Sequence, residues 1–89
     1  MKMKSGFVMR EVAGQYVVIA IGEASKTFHG MIKLNSTGKD IWEGLEKGFE
    51  EQQIVEFLMD KYQVSQEQVQ EDVQEFLKQM KEVGILADE

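Results

Sequence analysis

The 89-residue chain contains no cysteine and no proline, and only one histidine and one tryptophan. Without cysteine it forms no disulfide and offers no thiolate to a metal. With His29 alone, the paired-histidine spacings of zinc sites cannot be built. No proline-rich or low-complexity stretch marks a linker, and 89 residues leave no room for a second core. No apolar run approaches the roughly 20 residues that span a bilayer. The start, Met1-Lys2-Met3-Lys4, is basic, but Val17 to Ile21 lies too far along and is too short for a signal-peptide core. A cytoplasmic protein is expected, with no membrane partner. Nucleotide-binding glycine patterns are missing too. Thr37-Gly38-Lys39 has no earlier glycine at the spacing a phosphate loop requires.

What is present is the composition of a globular chain, 43% hydrophobic and 29% charged. The net charge of -6 is divided unevenly. Residues 1–39 carry six Lys/Arg against two acids, and residues 40–89 carry four against fourteen. Such acids mostly belong to solvated helix faces; the basic first half also suits an acidic partner peptide. Glu67, Glu71 and Glu75 repeat at helical spacing, which marks a solvated face rather than an acid/base pair. The six methionines are scattered, as core fillers are. No catalytic constellation, metal set or cofactor site emerges, so neither an enzyme nor a bound cofactor is expected.

The first third alternates like strands. Phe7–Val12 ends at Ala13-Gly14, a turn signal. Tyr16–Ile21 is apolar on both faces, which suits a central strand. Phe28–Leu34 sends Ile32 and Leu34 one way and His29, Met31 and Lys33 the other, the pattern of a half-buried edge strand. The period then changes to 3.6. Asn35 or Ser36 caps a first helix with Ile41, Trp42 and Leu45 on one face, closed by Gly48. A second helix carries Ile54, Val55, Leu58 and Tyr62 behind a weak cap at Glu50. The third is the best marked: Ser65 and Gln68 read as a capping box and Val64 and Val69 as a hydrophobic staple. Val69, Val73, Phe76, Leu77, Met80 and Val83 form its stripe, and Gly84 ends it with Ile85 folding back on Met80. The expected fold is α+β and winged helix-turn-helix-like: a three-stranded antiparallel sheet over about residues 7–34, followed by three helices over about 36–83.

A winged helix invites a DNA-binding regulator as one reading. Its recognition helix, residues 66–82, would bring Glu67, Glu71, Asp72, Glu75 and Glu82 against Lys78 and Lys81 alone. Phosphates repel that balance, so no nucleic-acid partner is expected. An adaptor subunit of an enzyme complex is a further alternative.

Arg10, the Val17-Val18 strand, and Leu34-Asn35-Ser36-Thr37-Gly38 leading to Ile41-Trp42 resemble the core of the PqqD-like family. Asp72-Val73 with Phe76-Leu77, and the ending Gly84-Ile85-Leu86, extend the resemblance over residues 7–86. Ile85 stands where the family usually has Leu, and the turn before the third strand lacks its common proline. The resemblance implies one domain, residues 1–89, that binds the leader of a ribosomally made, post-translationally modified peptide without doing chemistry. It also implies presentation of that precursor to a modifying enzyme, a radical SAM protein or a leader protease. Similar domains serve many pathways besides pyrroloquinoline quinone synthesis.

In such a domain the leader adds as a strand to the third strand, beside the third helix. Main-chain groups then supply affinity, and pockets for alternate side chains supply selectivity. The expected peptide site is therefore Phe28, His29, Gly30, Met31, Ile32, Lys33 and Leu34, with Val69, Asp72, Val73 and Phe76 from the helix. Gly30 reads equally as a point of close backbone approach or as a bulge. Asp72 either bonds the peptide or holds the helix to the sheet. Val69, Val73 and Phe76 are core residues first. The chain is expected to be a monomer, or a dimer through the same open edge.

Overall fold

The structure, a computed structural model, describes residues 2–87. The first residue and the last two of the expected domain lie outside it. The element order is β1 (Lys2–Met3), β2 (Phe7–Val12), β3 (Gln15–Ala20), a 3-10 turn (Gly22–Lys26), β4 (Met31–Leu34), α1 (Ser36–Glu46), α2 (Glu51–Tyr62), α3 (Gln66–Glu82) and β5 (Leu86–Ala87). Strands β2, β3 and β4 form an antiparallel sheet in that order, followed by the three helices as expected.

Two features depart from the sequence expectation. Lys2–Met3 pairs antiparallel with Leu86–Ala87, tying the two ends of the chain together. The third strand is four residues long, not seven, because the 3-10 turn takes up the preceding segment. The Phe28 amide donates to the Ala24 carbonyl at 3.0 Å, and its ring meets Phe7 edge-on at 5.7 Å.

The β2–β3 hairpin turns on Ala13 (φ 52°) and Gly14 (φ 80°). Positive φ at both central residues is the pattern of a I′ turn, whose twist matches that of the strands. An alanine in the left-handed region is strained, whereas asparagine tolerates it. Ala13→Asn is expected to raise stability by about 0.5–1 kcal/mol, or several degrees in melting temperature. An unchanged melting curve would contradict this.

Helix ends follow local chemistry. Asn35 Oδ1 accepts from the Gly38 amide at 2.8 Å, and Ser65 Oγ from the Gln68 amide at 3.3 Å. The Gln68 side chain does not return to Ser65, so the capping box there is half made; it donates to Asp72 instead. The cap at Glu50 is better than expected, because Gln53 Oε1 accepts from the Glu50 amide at 2.7 Å. Helix α3 closes with Gly84 at φ 87° and bonds from Ile85 N to Met80 O (2.9 Å) and Gly84 N to Lys81 O (3.1 Å), a Schellman motif. The core joins Val18 of the sheet to Trp42, Ile54, Leu58, Val73, Met80 and Ile85. Gly44 lets α1 and α2 approach closely, since a Cβ there would lie 3.1 Å from Ile54 Cγ1.

Candidate functional site

Strand β4 has β3 on one side and no strand on the other among the described residues. Which of its amides face the open side follows from the ladder. The two-residue hairpin makes Val12↔Gln15 a hydrogen-bonded pair, and the bond from Ile21 N to Gly6 O (2.7 Å) keeps the same alternation. Odd-numbered residues of β3 therefore bond to β2, and Tyr16 and Val18 turn toward β4. Their partners Leu34 and Ile32 face inward, so the amides and carbonyls of Met31 and Lys33 face the open edge. Two donors and two acceptors stand ready for an added strand. The side chains of Ile32 and Leu34 are half-buried, while Met31 (60% exposed) and Lys33 project into solvent.

Next to the end of β4, a cavity of about 290 Å³ opens between the first turn of α1 and one flank of α3. Asn35, Thr37 and Gly38 form one wall; Asp72, Glu75 and Gln79 form the other, with Ile41 and Phe76 between. Gly38 sets the width. A Cβ at that position would lie 3.3 Å from Phe76 Cε2 and 3.5 Å from Leu34 Cβ, so only glycine lets β4, α1 and α3 meet there without displacement. The Asn-x-Thr-Gly segment thus caps α1, leaves room for Phe76 and lines the groove.

The residues singled out from the sequence divide into three groups. Met31, Ile32, Lys33 and Leu34 form the edge, and Asp72 and Phe76 lie on the groove. Phe28, His29 and Gly30 precede the strand. Phe28 is engaged with Phe7, and His29 Nε2 donates to the Lys26 carbonyl at 2.9 Å. The space where a Gly30 Cβ would project is open. Val73 has no exposed surface and Val69 has 4%, so both are core; Phe76, at 9%, borders the groove. Among the described residues Asp72 makes no hydrogen bond to the sheet. It accepts from Gln68 Nε2 at 3.2 Å, within its own helix.

Sequence reasoning missed the groove residues Thr37, Glu75 and Gln79, and a polar cluster around the buried Asp40. Asp40, 4% exposed, accepts from Lys61 Nζ at 3.0 Å and from the Tyr62 hydroxyl at 2.5 Å, clamping α1 to the end of α2. Tyr62 also borders a smaller cavity of about 170 Å³, with Thr37, Val64 and Val69. The hydrogen bond to Asp40 raises the Lys61 ammonium pKa above its ordinary value of 10.5 against the effect of burial. The same carboxylate, aided by burial, raises the Tyr62 phenol above 10.0. Both groups hold their protons more tightly folded than unfolded, so stability is full below pH 10.0 and is lost as pH climbs through the raised values. Urea midpoints are expected to fall on that alkaline limb, and less steeply in Tyr62→Phe. Equal slopes in both proteins would contradict the clamp.

No described helix is long and apolar enough to cross a membrane. No group of three or more His, Cys, Asp or Glu among the described residues is placed to hold a metal.

Residues 10–86 match the family model of coenzyme PQQ synthesis protein D (PqqD). The chain belongs to the PqqD family. Two solved structures share the fold of this PqqD-family chain. One is TbiB1 in complex with the TbiA(beta) leader peptide, 23% identical, with a TM-score of 0.79, covering 99% of this chain and 100% of that one. The other is a lasso peptide synthetase B1 complexed with the leader peptide, 18% identical, with a TM-score of 0.79, covering 98% of this chain and 96% of that one. No curated protein sequence matches it significantly.

Proposed function

We propose that this protein binds the leader segment of a ribosomally made precursor peptide as a fourth strand on β4, and presents the precursor to a modifying enzyme. The observation that carries this reading is the open edge of β4, with the main-chain groups of Met31 and Lys33 facing outward beside a groove. Strand addition takes its affinity from such groups and its selectivity from neighbouring pockets. The site comprises Met31, Ile32, Lys33 and Leu34 on one side and Asp72, Glu75, Phe76 and Gln79 on the other. Family membership supports the reading, as do two relatives of the same fold whose structures hold leader peptides.

The protein itself carries no chemical step, and the converting enzyme is a radical SAM protein or a leader protease acting in the cytoplasm. The exposed acids of α3, Glu67, Glu71 and Glu75, oppose duplex binding. Titration of the labelled protein with the leader of its precursor is expected to shift the amides of Met31 and Lys33 together with those of residues 72–79. Saturating leader that leaves both groups unmoved would refute the proposal.

A further inference from the structure

The sheet has a second face, turned away from the helices. Val18, without exposed surface, and Ile32 point into the core, so the alternate residues point out. In register across the three strands these form a row Val8–Ile19–Met31 and, next to it, a row Arg10–Val17–Lys33. Val12 (57% exposed), Ile21 (45%) and Met31 (60%) extend the apolar surface. Val17, in the middle strand between Arg10 and Lys33, is only 4% exposed.

Arg10 and Lys33 both lie on this face, and, like Lys2, Lys4, Lys47 and Lys78, they make no ion pair among the described residues. Lys26, Lys39 and Lys61 each lie against a carboxylate. The chain as a whole carries a net charge of -6. An apolar stripe bordered by two unpaired cations is complementary to an apolar surface that carries acids. The face is also continuous with the β4 edge, because Met31 and Lys33 contribute side chains to one and main chain to the other.

We infer that this outer sheet face docks the enzyme that acts on the bound peptide, through an acidic, apolar surface of that enzyme. The identity of the partner rests on the function proposed above. A leader strand on β4 would extend the face to a fourth strand, so the enzyme would lie against domain and peptide together. Arg10 and Lys33 stand two strand spacings apart, about 10 Å. Two carboxylates one heptad apart on a helix, about 10.5 Å, meet that spacing. A second copy of the chain, packed face to face, would set cation against cation.

The test uses the full chain and the purified enzyme that converts the precursor. Arg10→Glu and Val12→Glu lie on β2, the strand farthest from the β4 edge, and are checked for folding by circular dichroism. Association measured without precursor is expected to weaken at least about tenfold in each, to persist in Arg10→Lys, and to weaken with salt in the wild type. Leader affinity should stay within about twofold of wild type in both. Wild-type association in both variants would overturn the inference. So would a wild-type dimer that Val12→Glu converts to monomer, because a second copy would then cover the face. If the wild type binds no leader, the proposed function fails instead, and the association measurement still reports on the face.

Discussion

Trp42→Ala is expected to remove about 3–5 kcal/mol of stability, the cost of deleting a large buried aromatic. For a small domain whose whole stability is about 5–15 kcal/mol, that leaves a protein folded only marginally. The side chain has no exposed surface and lies in the one cluster that joins Val18 of the sheet to all three helices. Its loss therefore opens a cavity bordered by elements from every part of the fold. The indole Nε1 has no hydrogen-bond partner. Trp42→Phe consequently breaks no hydrogen bond and is expected to cost far less, about 1–2 kcal/mol. Urea unfolding checks both: the midpoint should fall steeply for alanine and slightly for phenylalanine, with similar slopes. Equal losses for the two would mean that the indole nitrogen, not the ring's bulk, carries the contribution.

Met31→Pro is expected to leave the fold intact and to weaken leader binding about tenfold to a hundredfold. The ring removes one outward amide and leaves the peptide carbonyl opposite it without a partner, a loss of about 1–3 kcal/mol. Position 31 is the first residue of an edge strand, where proline is tolerated. Ile32→Pro is the contrasting case. Its amide faces Val18 on β3, so proline there breaks the ladder and should destabilise the sheet. The adjacent pair thus separates binding from folding at one-residue resolution. A destabilised Met31→Pro and a well-folded Ile32→Pro would mean that the ladder alternates the other way.

The helices were legible in the sequence because their signals are local. Ser65 before the apolar stripe and Gly48 and Gly84 after their helices each act within one turn, and the geometry at each is made by the residues that announced it. Pairing between distant segments left no such trace. Lys2–Met3 and Leu86–Ala87 are strands of two residues, too short for alternation to show. Asp40 finds its partners on another helix, so nothing near it in sequence marks a buried carboxylate. The third strand was drawn too long because Phe28 fits a strand pattern while its amide serves the 3-10 turn.

The candidate site was half legible for the same reason. Alternation identified Met31 to Leu34, but helical periodicity does not separate the centre of a stripe from its edge. Val73 is the centre and fully buried; the groove wall is the flank of Asp72, already expected there, together with Glu75 and Gln79, polar residues that no apolar pattern selects. The turn at Ala13-Gly14 did hold the missing information on which amides face out, once the strand register was known.

Calorimetric titration of the protein with the leader of its precursor, beside a scrambled peptide of the same composition, tests the central claim most directly. The account predicts saturable one-to-one binding of the leader alone, weakened about tenfold to a hundredfold in Met31→Pro. Equal affinity for the scrambled peptide, or binding unaffected by Met31→Pro, would contradict it.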